Sequence, residues 1–308
     1  MTPPTLLAVP NVSEGRDEET IAAIAAAFAG GATGGPRVLE VHSDPDHHRS
    51  VFTLAGHADQ IVDALLRGAR VAVERIDVMS RPDDRAQRPG QHPHVGALDV
   101  APLVYLDPAD RGLACAHALV LGDRISEELD VPVFLYGQLS GAEPGSERTR
   151  AQLRRGGVVG LAERMAAGEQ RIEPDFGPAR MHASAGATLV AARSPLVAFN
   201  LQLAPPATLE DARAVAELIR EGGSYGLPGV RAIGVALGGG VAQVSMNVER
   251  PFEVPLAIVV EAVRAHAGLA SAELVGLAPA AAFAGFPTDV PIPGFDPARH
   301  LIENALGC

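Results

Sequence analysis

A β-hairpin is predicted by residues 230–247, whose sequence is VRAIGVALGGGVAQVSMN. Two apolar runs of strand length, 230–237 and 241–247, flank the triplet Gly238-Gly239-Gly240. Glycine supplies the positive φ that tight turns between strands require, so this triplet is typical of a hairpin turn. The hairpin forms the middle of a longer pattern that extends in both directions along the chain.

The elements around the hairpin complete the order βαββαβ. A strand at 196–203 and a helix at 209–221 precede it, and a helix at 255–267 and a strand at 273–275 follow it. The first half of the chain repeats this order in the segments 5–10, 17–28, 37–42, 50–55, 58–75 and 99–106. The pattern predicts an α/β (α+β) protein of two ferredoxin-like subdomains with a ligand cleft between them.

The boundary between the subdomains is predicted at residues 176 and 177. A helix at 111–129, a strand at 131–136 and two helical stretches at 148–155 and 160–168 follow the first βαββαβ pattern. Residues 173–186 then indicate a linker, because prolines and glycines interrupt regular structure there. We therefore expect an N-terminal subdomain at 1–176 and a C-terminal one at 177–308.

The composition excludes several classes of function. Among 308 residues, 47% are hydrophobic and 20% charged, which is typical of a globular chain. A net charge of −12 disfavours nucleic-acid binding, since that affinity comes largely from Lys and Arg. No apolar stretch is long enough to span a bilayer, and the N-terminus lacks the pattern of a secretion signal. Two cysteines form neither a disulfide framework nor a zinc motif, so we expect a cytoplasmic protein.

Five histidines fall into two groups, His42 with His47 and His48, and His92 with His94. The first group has two interpretations. It is a solvated turn in which Asp44 and Asp46 cap backbone amides, or it is a site for zinc, iron or manganese. Adjacent histidines on an extended chain point apart, and no helical His-x-x-x-His pair is present, so no metal is expected.

Proton transfer is predicted for His92 in the segment 91–100, QHPHVGALDV. Pro93 excludes helical geometry at His92, and Gly96 permits close backbone approach before a buried strand. Imidazole exchanges protons readily near neutral pH, and loops anchored on a sheet often carry catalytic groups. A surface or hydrogen-bonding role is the alternative for an arbitrary histidine.

Two further polar segments are candidate binding sites. Asn11 and Ser13 lie between a strand and a helix, where they either face an anion or simply cap the helix. On the other half, Gln243, Ser245 and Asn247 alternate with apolar residues and share one face of a strand. With Asn200 on the first strand of the same half, these side chains are suited to a polar ligand such as a pterin.

The chain resembles the glutamate formiminotransferase family in segments spread over nearly its whole length. These are VPNVSEG (9–15), HP (92–93) followed by GALDV (96–100), PDFGP (174–178), VAFN (197–200), QVSMN (243–247) and LVGL (274–277). The resemblance is to the transferase portion of formiminotransferase-cyclodeaminase. It implies a homodimeric, folate-dependent enzyme of histidine degradation and one-carbon metabolism, made of two α/β subdomains.

The implied reaction moves the formimino group of N-formiminoglutamate to N5 of tetrahydrofolate, which is the acceptor substrate. His92 aligns with the family's catalytic histidine. The donor site implied by the resemblance comprises Asn11, Ser13, Glu14, His42, His48, Arg49, His94, Gly96 and Asp99. The residues expected to bind folate are Gly177, Pro178, Arg180, His182, Ser184, Gly186, Asn200, Gln243, Ser245 and Asn247.

The sequence departs from the family's pattern around the expected donor site. His42 replaces a common acid, His48 a common asparagine and His94 a common arginine, while Ala185 stands where an aromatic is often found. Arginine binds carboxylates through two parallel hydrogen bonds and histidine does not. Two alternative functions are therefore a metal-dependent hydrolase that uses the histidine-rich cleft without folate, and a catalytically silent folate-binding homologue.

Overall fold

A computed structural model describes residues 5–30, 35–80, 93–141, 146–167 and 172–307. Within these ranges the chain forms two compact units, divided between Ser194 and Pro195. Each unit has its own sheet and its own apolar core.

The first unit contains seven strands and five α-helices within its described residues. Its strands are β1 (Thr5–Ala8), β2 (Asn11–Val12), β3 (Arg37–Asp44), β4 (Arg49–His57), β5 (Leu98–Val104), β6 (Val133–Leu135) and β7 (Thr188–Arg193). Its helices are α1 (Glu18–Ala29), α2 (Ala58–Arg75), α3 (Arg111–Leu129), α4 (Arg150–Leu153) and α5 (Gly157–Ala166).

The sheet of the first unit is a ferredoxin-like core with two added strands. β3 pairs with β4, β4 pairs with both β1 and β2, and these pair with β5, all antiparallel. The predicted first strand is interrupted at Pro10, which has no N–H for the ladder, and β2 resumes at Asn11. Beyond β5, the sheet continues with β7 and then β6, both parallel pairings.

Local residues set both ends of α1 in the first unit. The Asp17 carboxylate accepts hydrogen bonds from the N–H groups of Glu19 and Thr20, which caps the N-terminus of α1. The helix ends at Gly30, whose φ of 70° is the left-handed conformation common at C-termini. Helix α2 spans the predicted residues 58–75.

In the core of the first unit, helices α1 and α2 pack closely against each other. Phe28 of α1 meets Phe52 of β4 edge to face, with ring centroids 5.1 Å apart. A Cβ at Gly68 of α2 would lie 2.1 Å from the Phe28 ring, so only glycine leaves room for this aromatic pair.

The second unit is a ferredoxin-like βαββαβ fold, as predicted. Its strands are β8 (Val197–Leu203), β9 (Val230–Ala236), β10 (Ala242–Val248) and β11 (Leu269–Val275). Its helices are α6 (Leu209–Ile219), α7 (Leu256–Arg264), α8 (Pro297–His300) and α9 (Ile302–Leu306). The sheet order is β11-β8-β10-β9, with every pairing antiparallel.

The interpretation of residues 173–186 as a linker between the halves is wrong. The segment is bonded into the first unit, where the Val133 N–H donates to the Phe176 carbonyl and the Ala97 N–H donates to the Ala185 carbonyl. β7 follows it and inserts between β5 and β6. The predicted division between residues 176 and 177 therefore lies inside the first compact unit.

The predicted α+β class is confirmed, because each of the two units combines α-helices with a β-sheet. None of the described helices is both long and apolar enough to cross a membrane.

Candidate active site

A pocket opens where β2, the turn between β3 and β4, and the segment before β5 come together. It is lined by Asn11, Val12, Ser13, His47, His48, Arg49, Pro93, His94 and Asp99. The register explains this convergence, because Asn11 of β2 lies between Val51 of β4 and Val100 of β5. The sheet thus brings His47 and His48 of the first histidine group close to His94 of the second.

The segment 93–97 is held by a buried ion pair. The Asp99 carboxylate accepts a hydrogen bond from the Val95 N–H at 2.8 Å through Oδ1, and the Arg154 guanidinium binds its Oδ2. Both side chains are buried. A charge-assisted bond in a desolvated position fixes the carboxylate, which in turn fixes the backbone that leads into β5.

Gly96 lies too close to its neighbours for any side chain. A Cβ there would lie 1.8 Å from the Ala187 carbonyl oxygen. The Gly96 carbonyl accepts a 2.7 Å hydrogen bond from Ser13 Oγ, and the Ala97 N–H donates to the Ala185 carbonyl at 2.8 Å. Segment 93–97 is therefore clamped between Ser13, which follows β2, on one side and residues 185–187 on the other.

Neither Asn11 nor Ser13 caps α1, so that alternative is wrong. The Asn11 amide donates to the Val9 carbonyl at 3.0 Å, and Ser13 bonds to Gly96. The cap is Asp17, and the carboxylate of Glu14 supplements it. Glu14 Oε1 accepts from the N–H groups of Gly15 (3.1 Å), Arg16 (3.0 Å) and Asp17 (3.2 Å).

His48 packs directly against this carboxylate. Its Nδ1 lies 3.4 Å from Glu14 Oε1 and accepts a hydrogen bond from the Gly15 N–H at 3.2 Å. The His48 backbone has φ 49°, a left-handed conformation that few side chains adopt readily. A Cβ at Gly15 would lie 2.3 Å from the Asp44 carbonyl oxygen, so glycine permits the turn to approach the start of α1.

The turn interpretation is confirmed for Asp44. Its Oδ1 accepts hydrogen bonds from the Asp46 N–H at 2.8 Å and the His47 N–H at 2.9 Å. His47 is buried, with Nε2 3.6 Å from Asp44 Oδ2. His42 lies on β3 opposite Val51 and does not line the described part of the pocket.

Arg49 gives the pocket a cation. Its guanidinium donates no hydrogen bond to any residue that the structure describes, although the side chain is half-buried. Burial lowers the pKa of Arg49 to about 10. The positive charges of Arg154 and Arg150 also lower this pKa, whereas the negative charges of Asp44 and Asp99 raise it. An anionic ligand would offset this cost of burying positive charge.

The catalytic candidate His92 lies outside the described residues. Its neighbours Pro93 and His94 are described, and both line the pocket. Among the described residues, no group of three or more His, Cys, Asp or Glu side chains is arranged to hold a metal ion.

The expected folate segment forms a compact loop in the first unit. Gly177 and Gly186 have φ of 87° and 73°. The His182 ring turns back into the loop, where Nδ1 accepts from the N–H groups of Ala185 (3.0 Å) and Ser184 (3.3 Å). Ala185 is buried, and its carbonyl is the one that binds Ala97. This loop and segment 93–97 therefore share backbone hydrogen bonds.

Two other residues of this segment are at least partly exposed to solvent. Arg180 is exposed and pairs with the Asp130 carboxylate at 2.6 Å. Pro178, adjacent to Gly177, is half-buried.

The polar residues of the second unit lie together on one face of its sheet. Ser245 of β10 is opposite Asn200 of β8, and the Asn200 amide donates to Glu273 of β11 at 2.8 Å. Gln243 is fully buried, and its side-chain amide has no hydrogen-bond partner within the described ranges. Asn247 continues the same face and is half-buried.

Sequence reasoning did not find Arg154. It belongs to the arginine-rich stretch that runs through 148–155, and nothing in that pattern separates Arg154 from its neighbours. Its role depends on a contact with Asp99, 55 residues earlier in the chain.

The fold and the pocket define an α+β protein of two ferredoxin-like units, the first of which carries an imidazole-rich, cationic pocket. Residues 5–193 match the formiminotransferase domain, N-terminal subdomain. The chain belongs to the formiminotransferase family.

Curated relatives show the same membership. The chain is 34% identical to the glutamate formimidoyltransferase of Streptococcus pyogenes serotype M1, over 97% of each protein. It is 34% identical to the glutamate formimidoyltransferase of Thermoplasma acidophilum, over 88% of this chain and 87% of that protein. The formimidoyltransferase-cyclodeaminase of Dictyostelium discoideum is 35% identical over 88% of this chain, which spans 50% of that longer protein.

Proposed function

We propose that this protein is a glutamate formimidoyltransferase that moves the formimino group of N-formiminoglutamate to N5 of tetrahydrofolate. Family membership over nearly the whole chain supports the class of reaction. The observation that carries the proposal is the pocket, which combines the Arg49 guanidinium with His48 and His94 beside the segment that follows His92.

The donor is proposed to bind in this pocket through its carboxylates. Arg49 supplies a planar cation without another hydrogen-bond partner among the described residues, and guanidinium binds a carboxylate through two parallel bonds. Ser13, Gly96 and Asp99 shape the pocket through their mutual contacts and those with Val95. His42 is also proposed as a donor-site residue, although it lies on β3 and does not line the described part of the pocket.

His92 is proposed to carry the proton. N5 of the folate attacks the formimino carbon, and collapse of the tetrahedral centre requires a proton to leave N5 and another to reach the departing amine. An imidazole with a pKa near neutrality performs both transfers in turn. The fixed segment 93–97 supports this role, because precise anchoring of the adjacent backbone is what a catalytic side chain needs.

Folate is proposed to bind the loop that includes Gly177, Pro178, Arg180, His182, Ser184 and Gly186. The shared hydrogen bonds between this loop and segment 93–97 support acceptor and donor sites close to one another. In the second unit, Asn200, Gln243, Ser245 and Asn247 offer a polar face for the pterin, and the Gln243 amide can hydrogen-bond such a ring. We further propose a cytoplasmic homodimer acting in histidine degradation.

A direct assay tests the reaction. Glutamate release from N-formiminoglutamate is measured with and without tetrahydrofolate, using the wild-type chain and His92→Ala. We expect release only with tetrahydrofolate, and a loss of about 10²-fold or more in kcat for the variant. Release that does not require tetrahydrofolate, or wild-type turnover by a folded His92→Ala, would contradict the proposal.

A further inference from the structure

We propose that His182 is a positioning residue that keeps the end of the folate loop in shape only while its imidazole is neutral. The inference rests on the proposed binding of tetrahydrofolate to residues 177–186 and adds how that loop is held. His182 acts through the backbone that it binds. The effect is therefore expected on the affinity for tetrahydrofolate and not on the chemical step.

Residues 182–186 form a closed turn, here called the tip. The His182 N–H donates to the Gly186 carbonyl at 2.9 Å, and the Gly186 N–H donates to the His182 carbonyl at 3.3 Å. Inside this turn, Nδ1 of the His182 ring lies 3.0 Å from the Ala185 nitrogen and 3.3 Å from the Ser184 nitrogen. The tip is thus closed by backbone bonds and braced from within by the imidazole.

The Nδ1 atom of His182 is a hydrogen-bond acceptor in this arrangement. Two N–H groups point at it, so the single proton of the neutral ring is on Nε2. A second proton would bind Nδ1 and face both N–H groups. Ser184 Oγ, at 3.4 Å, can accept that proton, but the Ala185 N–H would still lose its acceptor. Ala185 is buried, and a buried N–H without a partner is costly.

The Ala185 peptide connects the tip to the candidate active site. Its N–H binds the His182 ring, and its carbonyl accepts the Ala97 N–H at 2.8 Å. The Ala97 carbonyl in turn accepts the Ser13 N–H at 2.9 Å, and Ser13 lines the pocket. Release of Ala185 by a protonated ring would therefore loosen the loop at the point where it meets segment 93–97.

Charged groups on the elements around the tip have partners of their own. Arg180, two residues away, is exposed and pairs with Asp130. The Asp77 carboxylate accepts backbone N–H groups within its own segment, and the Asp99 carboxylate belongs to the buried ion pair. Within the part of the chain that the structure describes, none of these groups bonds to the His182 ring. The amides of the tip are what distinguish its neutral form from its charged form.

Two variants of His182 separate the acceptor from the titrating group. His182→Ala removes the acceptor at every pH. His182→Asn supplies Oδ1 as the acceptor, because an asparagine side chain binds the N–H group two residues further on, and asparagine does not titrate. His117→Asn is the matched control, since this half-buried imidazole on α3 bonds to the Leu113 carbonyl of its own helix.

The KM for tetrahydrofolate is measured for all four proteins across pH. At about pH 8 we expect His182→Ala to raise this KM about tenfold, the effect of one hydrogen bond, with little change in kcat or in the KM for N-formiminoglutamate. His182→Asn should recover most of the lost affinity. As pH falls toward about 5, the wild-type KM should approach that of His182→Ala while that of His182→Asn does not.

The ratio of wild type to His182→Asn isolates His182, because both proteins share every other titrating group. His117→Asn should follow wild type at each pH. A ratio that does not change with pH, or a folded His182→Ala with the wild-type KM, overturns the inference while formimino transfer stands.

Hydrogen exchange at the Ala97 amide tests the loop without substrate. We expect faster exchange in His182→Ala than in wild type, and an increase in wild type relative to His182→Asn as pH falls. Unchanged protection of this amide in His182→Ala overturns the inference whatever the assay shows. Absence of transfer by the wild-type chain instead overturns the proposed function.

Discussion

The two units share one βαββαβ order but differ in how their sheets are completed. In the second unit, alternate residues of β8 and β10 enter an apolar core with α6 and α7, and the sheet stops at four strands. In the first unit, β7 and β6 extend the sheet, and the segment 93–97 is held by a hydrogen bond to Asp99, which pairs with Arg154. The two units therefore share one order of strands and helices. The pocket lies in the first unit, where the buried ion pair of Asp99 and Arg154 interrupts the apolar packing.

The largest expected effect comes from removing the buried cation of the first unit. Arg154→Met leaves the Asp99 carboxylate buried without its ion pair, which should lower the free energy of unfolding by about 3–5 kcal/mol. The control is Arg155→Met, because Arg155 is exposed. Urea denaturation of both variants measures the difference, and equal midpoints would show that the Asp99 pair does not stabilise the first unit.

A smaller effect is expected from two glycines, one in each unit. A Cβ at Gly96 would lie 1.8 Å from the Ala187 carbonyl oxygen, and one at Gly234 would lie 2.3 Å from the Arg213 backbone nitrogen. Substitution by alanine at either position should cost about 1–3 kcal/mol, because backbone must shift in both.

Only Gly96→Ala should also lower formimino transfer, since it displaces the segment that lines the pocket. Thermal denaturation and the glutamate-release assay separate the two effects. Gly112→Ala is a control in which a Cβ meets nothing within 4 Å. Equal loss of transfer in Gly96→Ala and Gly234→Ala would remove the functional distinction between the units.

The smallest effect concerns two helix-capping carboxylates. Hydrogen bonds from Thr20, with one from the Glu19 N–H, lower the pKa of Asp17, and hydrogen bonds from Thr208 lower the pKa of Asp211. A pKa below its unfolded value adds stability above the unfolded pKa, and that stability is lost as pH falls through the folded pKa.

Asp17→Ala and Asp211→Ala should each lower Tm slightly at pH 7, and the differences from wild type should vanish in acid below the depressed pKa values. Differential scanning calorimetry across acidic pH measures this. A deficit that persists at the lowest pH would show that the caps act without their charge.

The sequence predicted elements whose signals are local. The segment 17–28 was predicted as a helix, and α1 spans Glu18–Ala29. Gly238 to Gly240 marked a turn in the second unit, where the chain forms the predicted hairpin between β9 and β10. Strand β7 was missed because its residues are buried on both faces, so its sequence lacks the alternation of a half-exposed strand. The available signal was the short apolar run 189–192, which lies between Gly186 and Ser194.

The site was only partly predictable for a related reason. The clustering of histidines is visible in the sequence, and the pocket brings His48 and His94 together. The ion pair of Arg154 could not be predicted from the sequence, because its partner is distant along the chain and several similar arginines surround it. The residues around His92 predicted only proton transfer, and the particular reaction proposed for it depends on the family resemblance.

The parallel pairing of β7 with β5 also has a consequence for synthesis of the chain. Val100 of β5 pairs with Leu189 of β7. Nearly all of the part of the first unit that follows β5 must therefore be synthesised before the partner strand β7 exists. Domains generally fold as units from the N-terminus during synthesis, and pairings distant in sequence form slowly. Residues 185–187 arrive with β7, so the clamp on segment 93–97 closes late, and the nascent chain carries an unfinished pocket until then.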